Sequence, residues 1–204
     1  TLAYRLIPNR SVSLRHTAIA GLLATLLFEL AKWGFALYLT RANYQALYGA
    51  IAVIPIFLIS FRWGLKAGLA TGFLAGLLQF VTGGFYVVHP LQLLLDYFIA
   101  PTAAGIGGFF AGSIRNASFE KQKGKIISYV MLAVLLGSGL KFLAHGISGA
   151  FVFGNYAPKG TPVWIYSLVY NGTYMLPSFI VCTIVLCILL LTAPRLLENR
   201  TNMR

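Results

Sequence analysis

The sequence predicts an all-α, polytopic membrane protein built from six transmembrane helices. Of its 204 residues, 58% are hydrophobic and only 10% are charged, and the mean hydropathy is +0.79, whereas about a quarter of the residues in a soluble domain are charged. At about 20 apolar residues per span, the length suits one six-helix domain covering residues 1–204. Spans are expected near residues 16–40, 44–61, 64–81, 90–114, 126–152 and 163–192.

Each predicted span is bounded by charged residues or by Pro and Gly. The basic start "TLAYRLIPNRSVSLRH" precedes a run that continues for a full span without a small-residue cleavage pattern, which predicts a permanent first helix. The third and fourth spans carry "GLATGFLAG" (68–76) and "AAGIGGFFAG" (103–112). Small residues let helix backbones approach closely in lipid, so these segments predict packing surfaces.

Basic residues indicate the orientation of the chain. With the N-terminus inside, twelve Lys and Arg fall in cytoplasmic segments and two, Arg41 and Lys159, fall outside. This positive-inside asymmetry predicts that both termini are cytoplasmic. The net charge of +12 is therefore expected to reflect orientation and contact with the anionic lipid bilayer, and no nucleic-acid binding is expected.

Ionisable side chains inside the spans are costly in lipid and indicate either pairing or function. At about 1.5 Å of rise per residue, Asp96, Lys141, His145 and Asn171 fall at similar depth on three helices, near the outer leaflet. Lys141 and His145 are spaced i, i+4, so both can face one cavity. Alternatively, Lys141 pairs with Asp96 as a buried bridge and His145 bonds a backbone carbonyl. Glu29 and Lys32 are expected to pair with each other.

Aromatic residues crowd the outer third of the predicted bundle. Some belong to the interfacial belt of a membrane protein, and the others can form an aromatic box for a flat or cationic ligand, which a carboxylate at Asp96 would complement. The aromatic residues are Trp33, Tyr38, Tyr44, Tyr86, Tyr97, Phe151, Phe153, Tyr156, Trp164, Tyr166 and Tyr170. The sequence contains no paired-carboxylate signature, nucleophile elbow or P-loop, so neither an enzyme nor a cofactor is expected.

Four segments resemble the thiamine-specific S-component of the energy-coupling factor (ECF) vitamin transporters over about residues 54–192. These segments are "IPIFLISFRWGLKAGLATGFLAGLLQF", "YVVHPLQLLLDY", "LKFLAHGISGAFVFGNYAPKG" and "YSLVYNGTYMLP". The resemblance implies a bacterial inner-membrane subunit that captures thiamine, or a related pyrimidine compound, from outside. It also implies partners, namely an ECF transmembrane subunit and two ATPases.

The resemblance further implies a set of ligand-pocket positions. Asp96 stands where this family usually has Glu, while Phe153 and Ala75 stand where it usually has Trp. The expected substrate-binding residues are Tyr86, Asp96, Tyr97, Lys141, His145, Phe153, Tyr166 and Asn171.

The first part of the chain looks different. Residues 4–57, "YRLIPNRSVSLRHTAIAGLLATLLFELAKWGFALYLTRANYQALYGAIAVIPIF", resemble the YihY/BrkB inner-membrane family. The chain can therefore be a mosaic of two families, and the alternative function is a structural or interaction protein of YihY/BrkB type, or a mosaic without a ligand. S-components dock through a small-xxx-small surface on helix 1, and Ala20 and Ala24 supply that spacing here.

Overall fold

The computed structural model describes residues 44–82 and 87–198, and every structural statement below refers to those residues. They form helices without a single β-strand within these two ranges, which confirms the all-α prediction there. The predicted first span, with Ala20, Ala24 and the Glu29–Lys32 pair, lies outside the described residues. The helices are α1 (Tyr44–Trp63), α2 (Leu65–Thr82), α3 (Pro90–Phe119), α4 (Lys123–Val152) and α5 (Val163–Thr192).

Helices α2 to α5 are each long and apolar enough to cross a membrane. Helix α1 has a shorter apolar stretch, Gly49–Trp63. The second to sixth predicted spans therefore each correspond to a helix, and the described residues belong to one compact unit. Four long apolar helices in one unit are typical of a multi-pass membrane protein.

The turns between helices depend on a few residues with unusual backbone angles. Gly64 joins α1 to α2 at φ 89°, a region that disfavours residues with a Cβ, and its N–H donates to the carbonyl of Ser60 at 2.7 Å. Lys121, at φ 56°, joins α3 to α4. Arg115 donates to the carbonyl of Arg62 at 2.7 Å, which satisfies an unpaired group at the end of α1. These contacts fix the end of the bundle where the basic turns lie.

The glycines of α2 form a close contact with α3, at the packing surface that the sequence predicts for residues 68–76. Gly68, Gly72 and Gly76 are all buried along one face. A methyl group at Gly68 would lie 2.6 Å from the carbonyl oxygen of Gly105, and one at Gly76 would collide with the carbonyl of Tyr97. Because a methyl group cannot fit, the two backbones approach closely only with glycine at these positions.

Helix α3, which corresponds to the fourth predicted span, is irregular. A π-helical turn covers Leu93–Ile99, and a 3₁₀ segment covers Gly105–Phe110. Pro101 has no N–H to donate to the preceding turn, and the N–H of Ala100 reaches back to Leu95 instead. Single π-helical turns occur frequently at functional sites. This one carries Asp96.

The apolar core lies among α1, α4, α5 and the C-terminal half of α3. Phe57 and Phe61 of α1 are fully buried, with ring centroids 5.9 Å apart. Val130 and Val134 of α4 and Leu186 of α5 are also fully buried in the same cluster. This core fixes the positions of α3, α4 and α5, which also carry the polar residues of the candidate site.

Candidate functional site

A cavity of about 410 Å³ opens where α3, α4, α5 and the 3₁₀ turn Gly154–Tyr156 meet. Its volume lies within the range of small-molecule sites, roughly 300–1,000 Å³. The lining combines one carboxylate, one imidazole, an amide and five aromatic rings. The lining residues are Asp96, His145, Gly149, Phe153, Tyr156, Tyr166, Ser167, Tyr170, Asn171 and Tyr174.

The carboxylate of Asp96 is held by two hydrogen bonds from α4. The Nδ1 atom of His145 lies 2.8 Å from one oxygen of Asp96, and the hydroxyl of Ser148 donates to the other oxygen at 2.9 Å. An ionised carboxylate only accepts hydrogen bonds, so the ring nitrogen that faces it is the donor. Since Nδ1 is used in this way, Nε2 is the ring nitrogen of His145 that remains for a ligand. The Asp96 and His145 side chains are 20% and 19% exposed, respectively, so the pair is neither sealed nor freely solvated.

The amide of Asn171 lines the cavity and joins α5 to α4, since its Nδ2 donates to the carbonyl of His145 at 3.4 Å. Its Nδ2 donates to the carbonyl of Ser167 at 2.9 Å, and its Oδ1 accepts from the hydroxyl of Tyr174. The hydroxyl of Ser167 donates to the carbonyl of Gly146 at 2.8 Å. A methyl group at Gly149 would collide with that hydroxyl, so glycine is needed for α4 and α5 to approach here. The buried amide therefore has a fixed orientation.

Three tyrosines form a ladder along one face of α5. Tyr166, Tyr170 and Tyr174 recur every four residues, a spacing that places them on one side of a helix. The rings of Tyr166 and Tyr170 stack with centroids 6.2 Å apart, and those of Tyr170 and Tyr174 meet edge to face at 6.1 Å. The electron-rich faces of such rings attract flat and cationic groups.

The structure brings five of the predicted binding residues to one cavity: Asp96, His145, Phe153, Tyr166 and Asn171. Each was placed by the depth argument or by the family resemblance. Tyr86 lies outside the described residues, as do Trp33 and the docking residues Ala20 and Ala24. Ala75 packs against the apolar core and does not line the cavity.

Two predicted residues lie elsewhere. Tyr97 packs edge to face on Phe80, with centroids 5.7 Å apart, and does not line the cavity. Lys141 lines a second, smaller cavity of about 20 Å³ between α1, α4 and α5. Among the described residues, Asp96 pairs with His145 and not with Lys141, so the alternative Lys141–Asp96 bridge is not observed. His145 accordingly bonds this carboxylate and not a backbone carbonyl.

Sequence reasoning missed several residues that line the cavity or bond to its carboxylate. Ser148, three residues after His145, is almost fully buried and shares its carboxylate partner. Tyr174 continues the spacing of Tyr166 and Tyr170, and this regular spacing was a signal that could have identified it. Ser167 carries no comparable signal in the sequence.

Metal coordination finds no support at this site. Within residues 44–82 and 87–198, no group of three or more His, Cys, Asp or Glu side chains is close enough to hold a metal ion. The lining thus supports recognition of an organic molecule through a carboxylate, an imidazole and aromatic rings.

Comparisons with known proteins show similarity to one family of membrane transporters. Residues 35–198 match the family model described as thiamine transporter protein (Thia_YuaJ). Thiamine transporter ThiT of Bacillus subtilis is 62% identical over 150 residues, which are 74% of this chain and 78% of that protein. Thiamine transporter ThiT of Lacticaseibacillus paracasei is 36% identical over 169 residues, covering 79% of this chain and 84% of that protein.

A solved structure and a partial match complete the comparison. The structure of ThiT from Listeria monocytogenes superposes with a TM-score of 0.68 at 28% identity, covering 75% of this chain and 94% of that one. A UPF0761 membrane protein of Halorhodospira halophila is 52% identical over 60 residues, which are 29% of this chain and 13% of that protein. The partial match agrees with the interpretation of the chain as a mosaic.

Proposed function

Because the chain belongs to the thiamine transporter protein family, we propose that its cavity captures thiamine for import across the membrane. Membership in a family of transporters confirms the functional class expected from the sequence and agrees with the expectation that the chain is not an enzyme. The alternative function of YihY/BrkB type is not favoured. The match to a UPF0761 membrane protein covers only 60 residues of this chain.

One observation carries this proposal: a carboxylate held at the edge of an aromatic cavity of about 410 Å³. Thiamine combines a flat aminopyrimidine with a cationic thiazolium ring. The carboxylate of Asp96 complements the positive charge, while Tyr166 and Phe153 offer faces for stacking. The Nε2 atom of His145 offers a polar contact to the pyrimidine edge. Asn171 would contact the ligand with its side-chain amide, which hydrogen bonds to Tyr174 and Ser167 hold in one orientation.

The proposal extends to the membrane and to partner proteins. Hydropathy favours six spans, the distribution of basic residues favours both termini in the cytoplasm, and the family resemblance implies insertion in the bacterial inner membrane. Under this proposal the cavity opens outward. We place the chain as the substrate-binding subunit of an ECF-type importer, with an ECF transmembrane subunit and two ATPases as partners. Ala20 and Ala24 then form the docking surface on the first helix.

Calorimetric titration of the detergent-purified full chain with thiamine tests ligand capture. We expect saturable heat with one thiamine per chain. An absence of heat up to millimolar thiamine would remove the proposal. Oxythiamine, which carries a carbonyl in place of the pyrimidine amino group, serves as a matched ligand and is expected to bind more weakly.

Co-purification tests the partner proposal separately. The chain is co-expressed with an ECF transmembrane subunit and two ATPases from a relative, and the complex is captured through a tag on one ATPase. Replacing Ala20 and Ala24 by Trp is expected to abolish capture of the chain without changing thiamine binding. Equal capture of the two forms would exclude docking through the first helix.

A further inference from the structure

Pro101 lies just over one turn after Asp96 on α3 and is buried, but it does not line the cavity. The helix is widened before this proline, since a π-helical turn covers Leu93–Ile99. Resting on the proposed function, we propose that Pro101 is a positioning residue for the ligand site. By forcing the preceding turn to widen, it rotates Asp96 toward α4 and thereby places the carboxylate in the cavity.

A proline disturbs a regular helix at this point in two ways. It has no N–H to donate, and its ring clashes with the carbonyl of the residue four positions earlier, which here is Tyr97. The hydrogen-bond ladder is shifted accordingly, because the N–H of Ala100 bonds to the carbonyl of Leu95 and not to that of the next residue. The π-helical turn is therefore the response of α3 to Pro101.

Helix α2 leaves room for the carbonyl that Pro101 displaces. A methyl group at Gly76 would collide with the carbonyl of Tyr97 and would lie 2.6 Å from the Cγ atom of Pro101. A methyl group at Gly72 would likewise collide with the carbonyl of Pro101. Because both glycines keep this space free, α2 packs against the distorted part of α3 and holds the widened turn in place.

The widened turn changes the direction of Asp96 around the axis of α3. A π-helical turn contains one residue more than an α-helical turn, and one residue covers about 100°. Asp96 lies in the middle of the widened segment, so about half of that angle separates it from its direction in a regular helix. A side-chain tip about 5 Å from the axis moves about 4 Å through such a rotation. The carboxylate would then lose its hydrogen bonds to His145 and Ser148.

Pro101→Ala restores the N–H and removes the ring, so that the turn can close as a regular α-helix. Moving the carboxylate from about 5 to about 8 Å from a ligand cation, at an effective dielectric constant of about 20, weakens binding roughly tenfold. Calorimetry on the purified full chain is expected to show this loss for thiamine. Pro177→Ala is the matched control, since Pro177 is an exposed proline within a continuous α-helical stretch of α5. It is expected to leave thiamine affinity unchanged.

A double-mutant cycle separates the positioning of Asp96 from a general effect on the bundle. Because Pro101 acts through the carboxylate, adding Pro101→Ala to Asp96→Asn is expected to weaken thiamine binding by less than a further factor of about two. A packing defect would instead give the same loss in both backgrounds, and that result would overturn the proposal. Unchanged thiamine affinity in Pro101→Ala alone would overturn it as well.

Thermal unfolding in detergent identifies which variants are folded. Should Pro101→Ala fail to fold, Pro101→Ser, which also restores the N–H, decides by the same cycle. If the original chain does not bind thiamine, the proposed function fails and this inference fails with it. Equal thiamine affinity of the original chain and the folded Pro101 variant refutes only the role of Pro101.

Discussion

Replacement of Asp96 by Asn isolates the charge of the carboxylate from its hydrogen bonds. The side chain keeps its size, and the Nδ1–H of His145 can still donate to the amide oxygen. The hydroxyl of Ser148, which donates to the second carboxylate oxygen at 2.9 Å, can rotate to accept from the new amide group. The local structure is therefore expected to persist, and the negative charge is what the substitution removes.

The Coulomb attraction between a ligand cation and the carboxylate, reduced by the exposure of Asp96, sets the size of the effect. A ligand cation about 5 Å from the carboxylate, at an effective dielectric constant of about 20, gains about 3 kcal/mol. Because the side chain of Asp96 is 20% exposed, water screens part of this attraction, which leaves about 1.5–3 kcal/mol. We therefore expect Asp96→Asn to weaken thiamine binding about 10- to 100-fold.

Calorimetry with two ligands provides the assay. Thiamine is compared with a neutral isostere in which carbon replaces the charged thiazolium nitrogen, and the isostere is expected to lose less than about threefold in affinity. Glu120→Gln is the matched control, since it removes a negative charge from an exposed turn that lies outside the lining of the cavity. Equal losses for the two ligands, or thiamine affinity unchanged by Asp96→Asn, would refute the charge argument.

Three further substitutions test the packing and the walls of the site. Gly76→Val is expected to destabilise the bundle by about 1–3 kcal/mol or more, because the valine side chain would collide with the backbone of α3. The measurement is the thermal unfolding temperature in detergent, which should fall. The control is Gly112→Ala, whose added methyl group meets open space and should leave that temperature unchanged. Ser148→Ala removes one hydrogen bond to the carboxylate of Asp96 and is expected to weaken thiamine binding about 5- to 20-fold. The control is Ser128→Ala, which removes an exposed hydroxyl and should leave the calorimetric titration with thiamine unchanged. Phe153→Trp enlarges an aromatic wall and is expected to tighten thiamine binding about two- to fivefold; weaker binding by this variant would show that the ring does not stack on the ligand.

The sequence predicts much of the fold because hydropathy and glycine spacing can both be read from short segments of the chain. The apolar runs give the helices α1 to α5, and the three-residue gaps between the glycines of α2 indicate a packing surface, which contacts α3 in the structure. The irregular course of α3 does not follow from such patterns. Pro101 signals a weakened hydrogen-bond ladder, but whether the chain responds with a kink or a π-helical turn depends on how α2 packs against it.

Depth along a helix is also predictable, whereas direction around a helix is not. Counting residues correctly places Asp96, His145 and Asn171 in one layer, because every helical residue rises by about 1.5 Å. Lys141 and His145 differ by about 40° around α4, and the neighbours of each side chain decide which cavity it faces. Tyr174 lines both cavities, and the separation of Lys141 from His145 becomes visible only in three dimensions.

A crystal structure of the full chain with thiamine tests the central claim most directly. The account predicts thiamine in the cavity between α3, α4 and α5, with its thiazolium ring within about 5 Å of the Asp96 carboxylate and its rings against Tyr166 and Phe153. Thiamine bound at any other place, with this cavity empty, would contradict it.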